Sequence, residues 1–354
     1  MTDRRIDRPQ PTPQPAAPEE DAGEAGDVHV LYIAGIGRSG STLLCRTLGA
    51  IDGFLGTGEL MRIFSRGVTN GDLCGCGAPV SACGVWRPVL AELHRREPQL
   101  DPARLENIRR RLTEGWPLLR YYFLPSSLAR VDAEANELRR FLAAFYRSVR
   151  AATGARVIVD ASKNMAFARL LTETPGIRVS LVHLVRDSRG VAYSLRRRRR
   201  RPGTNGRQEH FTQHGPVLAS SLWTMAQLMT EPLRRHASRY LRVRYEDFVS
   251  APSTAIERIL EFAGEPVRRP LGHVNGESVS LGAHHLIASN PNRERRGEIR
   301  LHEDVAWRRA MPHGSKYLVT ALTLPLLRRY GYRIRPGEEV PRTPPSRSSA
   351  TATR

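Results

Sequence analysis

A chain that turns on glycines between an apolar strand and a helix makes a place where an anion can be held. Gly35-Ile36-Gly37-Arg38-Ser39-Gly40-Ser41-Thr42 has that composition. N–H groups at a helix N-terminus have no intrahelical partner, and the helix dipole favours negative charge there. Glycine lets the backbone approach a phosphate closely, and the hydroxyls of Ser39, Ser41 and Thr42 add donors. The nucleoside-triphosphate loop G-x-x-x-x-G-K-[ST] is matched at Gly35, Gly40 and Thr42, but Ser41 stands where that loop needs its lysine. The clamp on β- and γ-phosphates is therefore missing, and the basic group lies inside the loop, at Arg38. This suits one 5′-phosphate carrying a transferable group better than a triphosphate.

A second basic element is Arg186-Asp187-Ser188-Arg189-Gly190-Val191-Ala192-Tyr193-Ser194, which follows an apolar run. Arg186 offers a fork of donors, and Ser194 falls about two turns along the helix that follows, so both can face one anion. Arg198, one turn on from Ser194 on the same predicted helix face, is a further candidate. The six arginines Arg196 to Arg201 read either as a solvated helix end or as the border of that anion site. The chain carries 55 Lys plus Arg against 35 Asp plus Glu, a formal net charge of +20, yet only Lys163 and Lys316 are lysines. With abundant Ala, Gly and Pro this skew reads as coding bias, and most of the charge as solvated surface. In such a chain a lysine marks a position where a guanidinium will not serve.

Three of the four cysteines, Cys74, Cys76 and Cys83, form a tight C-x-C-x6-C cluster. A structural zinc site usually has four ligands, and no fourth is evident nearby, the nearest histidine being His94. Zinc, a redox-labile disulfide and free packed thiols all stay open, and no residue is assigned as a metal ligand.

Arg38-Ser39-Gly40-Ser41-Thr42-Leu43-Leu44 resembles the 5′-phosphosulfate loop of the sulfotransferase superfamily, in the Arg-containing form of its carbohydrate, tyrosyl-protein and many bacterial members. Arg186 to Ser194 resembles its 3′-phosphate motif, in which the Arg and a Ser eight residues on hold that phosphate. Tyr245-Glu246-Asp247-Phe248 is similar to the family's Y-E-D/Q element, where the Tyr lies near the nucleotide. Ser289-Asn290-Pro291-Asn292-Arg293-Glu294-Arg295-Arg296-Gly297, followed by Trp307, resembles loosely the late loop over the adenosine and 3′-phosphate. The resemblance spans roughly residues 28–312. It implies 3′-phosphoadenosine-5′-phosphosulfate as sulfate donor, a hydroxyl of a small molecule, lipid or carbohydrate as acceptor, and no metal for the chemistry. It implies Glu59 as general base and Lys163 and Arg38 as the cations that stabilise the leaving 5′-phosphate. The donor-binding set it implies is Arg38, Ser39, Gly40, Ser41, Thr42, Arg186, Ser194, Arg198, Tyr245, Arg293, Arg296 and Gly297, with Arg295 and Arg300 able to replace the late arginines. Asp160 could orient Lys163 or the acceptor; His284 and His285 read as structural or substrate-lining.

The elements that must position these groups are legible as short apolar strands, each followed by a helix. Strands are predicted over 27–34, 155–160, 178–186 and 240–245, with helices following at Ser41, Met165, Ser188 and Ser253. That order argues for an α/β fold, a P-loop-like parallel sheet with helices on both faces. Roughly 100 residues separate the first two strands, far more than one crossover needs. A helical, Cys-containing insertion is expected at about 60–152, with helices at Leu90–Glu97, Pro102–Thr113 and Ala133–Ala152, able to shape the acceptor pocket. Residues 1–27 and 336–354 read as disordered tails around a catalytic domain at 28–335. No run of about 18 apolar residues predicts a membrane span, and without a secretory h-region the expected compartment is the cytoplasm. Two rivals remain. An ATP- and magnesium-dependent kinase lacks its loop lysine, and a basic nucleic-acid-binding protein lacks clustered aromatics for base stacking; no nucleic-acid partner is expected.

Overall fold

The computed structural model describes residues 26–115, 129–267, 271–288 and 291–334. Nearly all of both predicted tails, and Ser289 and Asn290 of the late loop, lie outside these residues. The first half runs β1 (Val28–Ala34), α1 (Ser41–Leu48), β2 (Phe54–Gly58), α2 (Trp86–Arg96), α3 (Pro102–Thr113), α4 (Ala129–Thr153), β3 (Val157–Asp160), α5 (Met165–Thr172) and β4 (Ile177–Val185). The second runs α6 (Ser188–Arg196), α7 (Pro216–Thr230), β5 (Arg239–Arg244), α8 (Tyr245–Ser250), α9 (Pro252–Ala263), β6 (Val274–Asn275), β7 (Ser278–Leu281), β8 (Gly297–Arg300), α10 (Ala306–Ala310) and α11 (His313–Arg329).

All seven residues of β1 are buried, the continuous apolar run of a strand covered on both faces. It sits at the centre of a five-stranded sheet of order β2-β3-β1-β4-β5, and each of its four ladders is parallel. Alternate side chains of β1 enter separate cores. Val28, Val30 and Tyr32 join Leu142, Tyr146 and Phe167 from α4 and α5, while Leu31 and Ile33 join Leu44, Phe248 and Ile256 from α1, α8 and α9. The expected α/β architecture with helices on both faces is what forms. The chain leaves β1 for β2 and β3 on one side and then crosses to β4 and β5 on the other, so the strand order reverses at β1. A crevice opens at the carboxyl ends of the strands at such a switch point, and the glycine loop after β1 occupies it.

Three differences from the sequence reading bear on the site. β2 is an unforeseen strand at the sheet edge; its sequence, Phe-Leu-Gly-Thr-Gly, is poor in strand formers. It ends one residue before Glu59. The insertion helices are longer than expected at α2 and α4, whereas α3 has the predicted limits, started by Pro102 and by Asp101, whose carboxylate accepts from the N–H of Ala103 and Arg104. Finally, α6 stops at Arg196, and Arg197 is extended. Continuing it through the arginine run would stack like charges at i and i+4. Arg198 thus lies beyond the helix, not on the face of Ser194. Among the described residues no helix is long and apolar enough to cross a membrane.

Candidate active site

The loop from Gly35 to Gly40 delivers α1 into the crevice. Gly40 precedes the helix at φ 88°, and a Cβ there would lie 2.5 Å from the ring of Tyr245. Only glycine fits. No side chain caps α1, which leaves first-turn N–H groups able to donate to an anion. Ser39 Oγ is buried without a hydrogen-bond partner among the described residues, so its hydroxyl is available to a ligand.

Arg186, buried at the end of β4, locks this loop to the rest of the site. Its Nη1 donates to the Arg38 carbonyl at 2.8 Å and its Nη2 to Asp304 Oδ2 at 3.0 Å, while the guanidinium stacks 4.6 Å from the centre of Tyr245. Around it opens a cleft of ≈ 200 Å³ lined by Arg38, Arg186, Ser194, Arg199, Tyr245, Arg295, Arg300 and Asp304 among others. Five arginines against one carboxylate give the cleft a strongly positive potential. The predicted Arg38, Gly40, Arg186, Ser194 and Tyr245 are brought together.

The late residues are distributed otherwise than expected. Arg293 is buried, with Nη1 on the Ala288 carbonyl at 2.9 Å and Nη2 on that of Leu73 at 2.7 Å; its donors are spent on backbone away from the cleft. Arg296 and Gly297 are exposed, Gly297 opening β8, and neither they nor Arg198 line the cleft. Arg295, Arg300 and Arg199 stand there instead. Trp307 is buried against Arg189, 4.6 Å from its guanidinium, so it braces α6. Within the arginine run both readings apply: Arg196 to Arg198 are exposed, whereas Arg199 borders the cleft. Arg201 stacks 4.4 Å from the ring centre of Phe211, the same ring on which Arg38 stacks at 4.3 Å. Burial, then repulsion from Arg199 and Arg201, brings Arg38 down to about 10, leaving it charged at neutral pH.

Glu59 and Lys163, far apart in sequence, form an ion pair at 3.0 Å. Burial pushes the Glu59 carboxyl up, but Lys163 and Arg62 outweigh it and hold it below its ordinary value. Arg62 Nε lies 3.2 Å from the other carboxylate oxygen. Lys163 has φ 60°, and its ammonium also donates to the Ala161 carbonyl at 2.7 Å. Asp160 does not contact that ammonium. Its Oδ1 accepts from the Ser162 N–H at 2.7 Å and from the Ser162 hydroxyl, and its Oδ2 from Tyr146. It therefore braces the turn that presents Lys163 and, being fully buried, is closed to an acceptor. Burial raises it to about 6.

Arg295 and Arg300, the alternatives for the late arginines, line the cleft where Arg293 and Arg296 do not; Arg199 was singled out only as part of the arginine run, and Asp304 was missed because no motif contains it. The sulfotransferase family profile matches residues 31–269, a span that takes in the loop, Glu59, Lys163, Arg186 to Ser194 and Tyr245. Among solved structures, the sulfotransferase domain of the Synechococcus PCC 7002 olefin synthase is 19% identical, covering 88% of this chain and 98% of that one at a TM-score of 0.46. The sulfotransferase domain from the curacin biosynthetic pathway is 16% identical, covering 88% and 99% at 0.47. Sulfotransferase STF9 from Mycobacterium avium is 12% identical, covering 87% and 78% at 0.45. Comparison with curated proteins returns no match. The profile match extends over more than half of the chain, and the chain belongs to the sulfotransferase family.

Proposed function

We propose that the protein transfers the sulfuryl group of 3′-phosphoadenosine-5′-phosphosulfate to a hydroxyl of a small-molecule, lipid or carbohydrate acceptor. The observation that carries this reading is the hydrogen bond of Arg186 to the Arg38 carbonyl, which joins the two phosphate elements into one cleft. The residues fit the donor: Ser39 Oγ and the first-turn N–H groups of α1 for the 5′-phosphosulfate, and Arg186 and Ser194 for the 3′-phosphate, with Arg199, Arg295 and Arg300 at the rim.

Glu59, a carboxylate at neutral pH, accepts the proton of the acceptor hydroxyl. The acceptor oxygen forms its bond to sulfur as the bond from sulfur to the 5′-phosphate oxygen breaks, and the electron pair stays on that oxygen. Adenosine 3′,5′-bisphosphate leaves. Lys163 and Arg38 stabilise the charge that develops on it, the kind of fixed electrostatic support that usually dominates a rate; the chemistry calls on no metal ion. The missing loop lysine at Ser41 disfavours the kinase reading, and the paired phosphate elements are unexplained if the protein is only a basic nucleic-acid binder.

Incubating the enzyme with sulfur-labelled donor and a panel of phenols, sterols and sugars tests the reaction. Label should move to at least one acceptor class with one adenosine 3′,5′-bisphosphate released per transfer. Phosphoryl transfer from ATP with magnesium, and no sulfuryl transfer to any class, would replace this reading with a kinase.

A further inference from the structure

The cysteine cluster lacked a fourth ligand in the sequence, and the fold supplies one from the far end of the chain. His285 Nδ1 lies 3.2 Å from Cys83 Sγ and 3.7 Å from Cys74 Sγ. The Cys83 sulfur is 3.5 Å from that of Cys74 and 3.8 Å from that of Cys76. All four donor atoms fall within 4.8 Å of one another. A tetrahedral zinc ion, with Zn–S of about 2.3 Å and Zn–N of about 2.0–2.1 Å, sets its ligand atoms about 3.5–3.8 Å apart. Four of the six donor–donor distances, 3.2–3.8 Å, lie close to those edges, and Cys74 and Cys83 are buried while Cys76 and His285 are half-buried. A disulfide would use two of the sulfurs and leave the third thiol and the imidazole without a role.

The surrounding backbone is built to present these atoms. Gly77 N–H closes onto the Cys74 carbonyl at 2.9 Å and Cys74 N–H onto that of Ala78 at 2.8 Å, a tight turn that offers two thiols together. Trp86 Nε1 donates to the His285 carbonyl at 2.7 Å and fixes the histidine segment. Gly75 is a close approach: a Cβ there would sit 2.0 Å from His284 Nδ1. Three thiolates and a divalent cation leave a net negative charge, and buried Arg293, bonded to the carbonyl of Leu73 next to the first ligand, lies beside it.

We propose that Cys74, Cys76, Cys83 and His285 bind one zinc ion as a closed structural site. Four protein ligands leave no open position for a substrate, so the ion holds rather than reacts. It ties the start of the insertion to the segment at 285–287. That segment carries the base: the Glu59 N–H donates to the Ile287 carbonyl at 2.9 Å and the Ile287 N–H to that of Thr57 at 2.8 Å. Binding displaces the thiol protons, so affinity falls as pH falls.

Metal analysis of the full chain purified from zinc-containing medium should give one zinc per chain. Cobalt substitution should produce the strong near-ultraviolet thiolate-to-metal band and the visible bands of a tetrahedral site. Cys83→Ser and His285→Ala should each lower zinc content at least several-fold, and Cys45→Ser, which is not part of the cluster, should retain it. Chelation should lower the unfolding midpoint. Zinc-free wild type with all thiols titrating, or with two of the three lost to a disulfide, would overturn the proposal, as would a cobalt spectrum without thiolate character. These readouts need neither donor nor acceptor, so their failure is separate from failure of the sulfuryl-transfer reading.

Discussion

Arg38 and Lys163, the two cations assigned to the leaving phosphate, both hold left-handed backbone, at φ 74° and 60°. For residues other than glycine such strain costs on the order of 1–3 kcal/mol each and persists only where the surroundings over-determine it. Here the surroundings are the Arg186 bond to the Arg38 carbonyl and the Glu59 and Ala161 contacts of the Lys163 ammonium. The carboxylate roles are separable by pH. A depressed Glu59 stays ionised down through the ordinary glutamate value of about 4.3, so the acid limb of kcat/KM should lie below that value. Glu59→Gln should lower kcat by about 10²–10⁴-fold while adenosine 3′,5′-bisphosphate affinity is kept. An acid limb near 6 would instead report Asp160, and a Gln variant at the wild-type rate would remove Glu59 from the mechanism. Glu59 and Lys163 were both singled out from the sequence, Glu59 by its place in the resemblance and the lysine also because this chain otherwise uses arginine. The rim arginines could be named only as alternatives, Arg295 and Arg300 beside Arg293 and Arg296, because residue type does not discriminate where 55 basic residues are nearly all arginine.

At the level of elements, the site depends on how closely α1 approaches α8. Gly40 has φ 88° and no room for a Cβ beside Tyr245, whose ring also carries the Arg186 guanidinium. Gly40→Ala should cost about 1–2 kcal/mol for the left-handed backbone alone, and displacing Tyr245 should disturb Arg186. The expected result is a lowered unfolding midpoint together with weakened bisphosphate binding; unchanged binding would mean that the loop does not need this approach. The strand–loop–helix units were readable from apolar runs that stop at glycines or polar turns. β2 was not, because two glycines in five residues erase the pattern, and it is held by its ladder to β3. The end of α6 was misjudged because apolar periodicity does not register the repulsion among successive arginines.

The whole molecule brings together what no local pattern relates. Lys163 meets Glu59 because β2 and β3 are neighbours in the sheet, and Cys83 meets His285 across 202 residues of chain. Such pairs are set by strand order and by the path of the late segment, which one sequence does not encode in any window. The arrangement that follows gathers charge on one side of the switch point, where Arg186 just past β4, Ser194 from α6 and the loop after β1 line a common cleft. Calorimetric titration with adenosine 3′,5′-bisphosphate, on wild type and on Arg186→Ala and against ATP with magnesium, tests that convergence most directly. The account predicts one bisphosphate site per chain, at least tenfold weaker in the variant, with ATP far weaker than the bisphosphate. ATP binding as tight as or tighter than the bisphosphate, or a bisphosphate affinity indifferent to Arg186, would contradict it.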